Sequence, residues 1–93
     1  MQSPTTTRPA GPVTSGVAIR AEALFASTLQ PSDSPSPDQI RRAVATTLRR
    51  LGVRGCAGCL AGEFGDHPDT APARMAWALA MIRTAYPAPW LDT

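Results

Sequence analysis

The stretch SPDQIRRAVATTLRRLGVRGCAGCLAGEF, residues 36–64, decides the fold, because helix signals stand on both sides of a single glycine. Ser36 reads as an N-cap, with Pro37 at the first helical position and Gln39 completing a capping box. From there Ile40, Val44, Thr47, Leu48 and Leu51 recur on one face of a 3.6-residue wheel, while Arg41, Arg42, Arg49 and Arg50 take the other. Gly52 is expected to end this helix in a left-handed cap. Beyond it, Val53, Ala57, Leu60 and Phe64 stand at i, i+4, i+7 and i+11 and predict a short third helix with that stripe turned inward. Gly55, Gly58 and Gly62 share the opposite side. Each interior glycine costs up to about 1 kcal/mol relative to alanine, so this side is expected either to admit a close neighbour or to leave the segment partly a loop.

Working outward, Val17, Ala21, Leu24, Phe25, Thr28 and Leu29 predict helix one over residues 17–30. Pro31 ends it, and the run PSDSPSP is a loop, since its pyrrolidine rings forbid a continuous helix. Residues 1–16 are mostly Ser, Thr, Pro and Gly and bury too little apolar surface to offset the entropy of ordering, so a disordered N-terminal tail is expected. Downstream, residues 65–72 form a connector, and helix four is expected from Ala71 to Tyr86 with Thr70 and Pro72 at its start. Met75, Ala78, Leu79, Ile82 and Tyr86 form its inner face. Residues 87–93 make a short C-terminal tail. The expectation is therefore an all-α, small four-helix bundle-like domain over residues 17–86. Only roughly 70 residues then build the core, and stability should be modest.

Composition narrows the function classes. Net charge is +2, and all nine basic residues are arginine. With no lysine to compare against, and with the Ala, Pro and Gly load of a GC-rich coding bias, arginine abundance is weak evidence for phosphate recognition. The N-terminus lacks the basic start and apolar core of a secretory signal. The longest purely apolar run, Met75 to Ile82, is too short for a membrane span. A cytoplasmic address is expected, with no membrane partner.

Several constellations carry chemistry. Cys56 and Cys59 form a CxxC, whose spacing suits a reversible disulfide when it sits near a helix N-terminus. The chain shows no βαβ pattern to hold such a motif, and buried cysteine also packs as a small apolar residue. Cys56, Cys59 and His67, with Glu63, Asp66 or Asp69 nearby, are the only supply for a metal, although one CxxC with one histidine is a thin zinc signal. Asp66 and His67 in GDHPD suggest a carboxylate orienting an imidazole, yet no nucleophile is marked and the run also reads as a turn. No catalytic constellation closes, so the chain is expected not to be an enzyme and to need no cofactor.

Two binding surfaces remain. Arg41, Arg42, Arg49, Arg50 and Arg54 would suit a nucleic-acid backbone. Helices two and three about Gly52 also have the outline of a helix-turn-helix, which would make the chain a DNA-associated transcriptional regulator. The reading helix, however, offers only Arg54 and Glu63 as long polar side chains, and base edges need more donors than that. The other surface is Trp77 and Met81, one turn apart on the outer side of helix four beside Arg74 and Thr84, with Trp90 in the tail. Trp and Met are enriched where proteins touch. The leading expectation is a non-enzymatic helical interaction protein, a regulator or accessory subunit, that binds itself or another protein through Trp77, Met81 and Trp90.

Overall fold

The structure, a computed structural model, describes residues 16–87. The expected N-terminal tail lies almost wholly outside the described residues, as do Trp90 and Leu91. The described chain is all-helical: α1 is Gly16–Ala26, a single 3-10 turn is Pro31–Asp33, α2 is Pro37–Asp66 and α3 is Ala71–Ala85. The count is three helices, not four, because the expected second and third helices form one 30-residue element.

The start of α2 follows from its first four residues. Gln39 N donates to Ser36 Oγ at 3.2 Å, and Ser36 N donates to Gln39 Oε1 at 2.7 Å, so two orphan amides are satisfied reciprocally. At Gly52 the backbone leaves helical geometry, with φ 72° and ψ 170°. The positive φ agrees with the sequence expectation, but the residue is not a left-handed cap, whose ψ would lie near 47°. At ψ 170° the chain bends without reversing, and the helix resumes at once. Residues 37–51 and 53–66 are thus two arms of α2 about a one-residue joint. A Cβ built on Gly55 would sit 2.9 Å from Leu51 Cβ, so the bend also brings Leu51 hard against Gly55.

Helix α1 stops four residues short of the expected Gln30. Ser27 Oγ donates to Leu24 O at 2.6 Å and accepts from Leu29 N at 3.2 Å. This local side-chain bonding competes with the helical ladder and turns the chain outward. At the other end, α3 begins at Ala71 as expected, although Thr70 supplies no side-chain cap.

The three helices pack mutually around Leu24, Ile40, Val44, Cys56 and Ile82, with Ala21, Ala23, Ala78 and Ala85 filling the close approaches between them. So many alanines make a thin core, and longer side chains seal it from the side: Leu48, Met75, Trp77, Leu79, Met81 and Tyr86 are half-buried against it. Arginines tie the helix ends together. Arg41 Nη1 donates to Ala85 O at 2.8 Å, capping the C-terminus of α3, and pairs with Asp38. Arg20 lies 4.1 Å above the Tyr86 ring centroid. Cations at helix C-termini meet the negative end of the helix dipole and satisfy its free carbonyls. No helix among the described residues is long and apolar enough to cross a membrane.

Candidate functional site

Two features stand out on the surface, and both are set by the second arm of α2. The first is an open cleft of about 360 Å³ lined by Phe25, Ser27, Gln30, Cys59, Glu63 and Arg74. Arg74, one turn into α3, dominates it. Its Nε donates to Phe25 O at 3.0 Å, and its Nη2 donates to Leu29 O at 2.9 Å and Ser27 O at 3.1 Å. The guanidinium lies 5.6 Å from the Phe25 ring centroid and 5.2 Å from that of Trp77. Burial pushes its pKa down, while Cys59 and Glu63 nearby push the other way. Its donors are spent on the end of α1, so the guanidinium works as a structural clamp rather than as a free anion receptor. The sequence places Arg74 beside Trp77 on one side of this helix without giving it a role; the signal for one is the three-residue spacing, which lets a guanidinium lie on an indole along one helix face.

The two cysteines lie one turn apart on the same arm and differ in exposure. Cys56 is buried and Cys59 exposed, and both are free thiols. Burial raises the Cys56 pKa, with smaller contributions from Cys59 and Glu22. Folding therefore holds that proton more tightly than the unfolded chain does. The resulting stabilisation is intact below the unfolded thiol pKa of about 8.5 and is lost as pH rises through the folded value. A maleimide titration of the native protein near pH 7.5 is expected to label Cys59 quickly and Cys56 only on unfolding. The alkaline fall in stability should diminish in Cys56→Ala.

The candidate metal ligands Cys56, Cys59 and His67 do not come together. Among the described residues, no three His, Cys, Asp or Glu side chains converge as a metal site would require. Cys56 is turned into the core, and His67 caps the far end of α2, its N–H donating to Glu63 O at 2.7 Å. Along the helix, His67 stands about 12 Å from Cys59. His67, Asp66 and Asp69 are all exposed on the connector.

The arginines are likewise divided. Arg41 is engaged with Asp38 and Ala85, and Arg49 reaches Thr46 Oγ1 at 3.4 Å. Arg42, Arg50 and Arg54 are exposed with no ion pair among the described residues. The joint at Gly52 is one residue, shorter than the three- to four-residue turn of a helix-turn-helix. Trp77 and Met81 are half-buried and packed on the core.

The second feature is the stripe Val53, Ala57, Leu60 and Phe64, expected inside. It faces largely outward: Val53 is 51% exposed and Phe64 38%, Ala57 is exposed, and Leu60 is half-buried. Leu51, just before the joint, is 39% exposed. The reason is the roll of this arm after Gly52, which points Cys56 into the core in place of the stripe. Phe64 stacks on the buried Phe25, with ring centroids 6.0 Å apart. The glycine side is open as well: Cβ atoms added at Gly58, Gly62 or Gly65 would meet nothing within 4 Å, so no helix among the described residues makes the close approach that side could allow. No family model, no curated protein and no solved structure matches this chain.

Proposed function

We propose that this chain is a non-enzymatic helical interaction protein, which acts by docking its second α2 arm on a protein partner. The observation that carries the reading is the exposed seam. Val53, Ala57 and Phe64 repeat at helical spacing on a regular arm, so they form one apolar strip facing water. Scattered exposed apolar residues need no explanation, but an aligned apolar face rimmed by charge is what a binding helix presents. A small domain with an alanine-rich core also has the most stability to gain from covering that strip. In the cleft, the Arg74 guanidinium is occupied by carbonyls at the end of α1.

A photo-crosslinking residue placed at Ala57 and activated in living cells tests the reading. A discrete covalent adduct is expected from Ala57 and not from Thr46, an exposed position on the first arm. Equal or absent crosslinking at both positions would remove the seam as a docking surface.

A further inference from the structure

We propose that Cys56 and Cys59 form a thiol–disulfide exchange site, in which the exposed Cys59 takes up one half of a small-molecule disulfide and Cys56 leaves the core to resolve it. The site is independent of the seam as a docking surface.

Placement divides the two roles. Cys59 is exposed and lines the open cleft with Phe25, Gln30, Glu63 and Arg74, so a small disulfide reaches its Sγ without rearrangement of the chain. Arg74 and Glu63 set one charge of each sign around that cleft, so exposure, rather than a dominant neighbouring charge, makes Cys59 the entry thiol. Cys56 is 1% exposed in the alanine-rich core and is shut off from reagents in solution. It is close to Cys59 all the same, since the charge of Cys59 is one cause of its raised pKa. Residues three apart on a helix have Cα atoms about 5 Å apart, inside the range a disulfide spans, but their Cβ atoms are about 5–6 Å apart where a disulfide needs about 3.5–4.5 Å. Closing the bond therefore requires the turn between them to deform and the Cys56 side chain to swing outward. The turn is suited to this, because Gly55 and Gly58 stand on either side of Cys56 and the non-helical Gly52 stands one turn before it. Glycine holds a helix less firmly than alanine does.

The chemistry is two successive exchanges. Cys59 Sγ, as thiolate, attacks one sulfur of the small disulfide and releases the other as a thiolate, which takes up a proton. Cys56 Sγ, having lost its proton to solvent, then attacks Cys59 Sγ and displaces the second small thiol. The two cysteines give up two electrons and two protons, and the small disulfide gains both as two thiols. The second attack is intramolecular, at an effective concentration of about 1 mM or more, which is why a thiol hidden from solution still captures its neighbour. Strained disulfides are the readily reduced ones, so the pair returns to the dithiol when small thiols are in excess, and Cys56 re-enters the core.

Incubation of the full chain with oxidised glutathione at about pH 8, followed by acid quenching and intact-mass measurement, tests the site. In the wild type the glutathionyl adduct is expected to be transient, and the end product to be a single chain lighter by two hydrogens, restored by dithiothreitol. Cys56→Ala, a change suited to the alanine-rich core, should halt at a stable adduct. Cys59→Ser should react at least about tenfold more slowly than the wild type, with circular dichroism confirming the fold of both variants. Gly58→Ala should leave adduct formation unchanged and slow its closure about two- to fivefold, because alanine firms the turn that must deform. The oxidised chain should melt about 5–10 °C below the reduced one, since Cys56 has left the core. A wild-type adduct as persistent as that of Cys56→Ala, a Cys59→Ser variant that reacts as fast as the wild type, or a main product joining two chains would each overturn the exchange site. So would closure indifferent to Gly58→Ala, or an oxidised chain no less stable than the reduced one.

Discussion

Replacing Arg74 with alanine is expected to lower the unfolding free energy by about 3 kcal/mol, a large part of what a domain of this size possesses. The magnitude follows from what the guanidinium holds. Phe25, Ser27 and Leu29 present carbonyls at and beyond the end of α1, and Arg74 donates to all three at 3.1 Å or less. A charged hydrogen-bond donor contributes roughly 1.5–3 kcal/mol, and three bonds shared by one guanidinium do not add in full; the top of that range applies because removing the donor leaves acceptors that water reaches only partly. The flat guanidinium also fills the gap between the Phe25 and Trp77 rings, so alanine opens a void there. The melting temperature should fall by about 15–20 °C. Arg74→Lys separates charge from shape. Lysine keeps the attraction to the helix C-terminus, at most about 1 kcal/mol, but loses the fork that reaches several carbonyls at once. It should therefore restore less than half of the loss, and a lysine variant as stable as the wild type would show that charge alone holds the end of α1.

Arg74 also shows where the sequence stops being legible. Its donors meet acceptors 45 to 49 residues away, and no local pattern marks such a bond. The same is true of Arg41, which reads as one more charge on the solvated face and in fact caps α3 across 44 residues. What local chemistry decides was readable: the Ser36 capping box, the proline-rich break after α1, the start of α3 at Ala71 and a positive φ at Gly52. Periodicity also grouped Val53, Ala57, Leu60 and Phe64 on one face correctly. It did not say which way that face points. On this arm Cys56 is only a short step around the helix from the stripe, and a small sulfur side chain fits an alanine-lined core better than Val53 or Phe64 does. The roll of a short helix is chosen by its neighbours' shapes, so the residues of the candidate seam were legible and their exposure was not.

The joint that sets this roll gives the second expected effect. Gly52→Ala should cost about 2 kcal/mol, because φ 72° with ψ 170° is a region that residues bearing a Cβ scarcely enter. No neighbouring atom lies within 4 Å of the added methyl, so the cost is one of backbone conformation and not of collision. The variant can relieve that strain by straightening α2, since alanine favours the helix that glycine interrupts. A straight α2 would swing the second arm away from α1 and bring Cys56 to the surface. Helical content by circular dichroism should then hold steady or rise while the Cys56 thiol becomes reactive in the native state, a combination that plain unfolding does not produce. Gly58→Ala is the matched control six residues on. There the backbone is helical and the space is open, so the same substitution should stabilise by about 0.5–1 kcal/mol and leave Cys56 protected. Opposite signs for one chemical change on one helix would establish that the bend, and not glycine content as such, holds Cys56 in the core and turns the seam outward. Equal signs would mean that the arm's orientation is fixed elsewhere, with Arg74 and the Phe25–Phe64 stack as the remaining restraints.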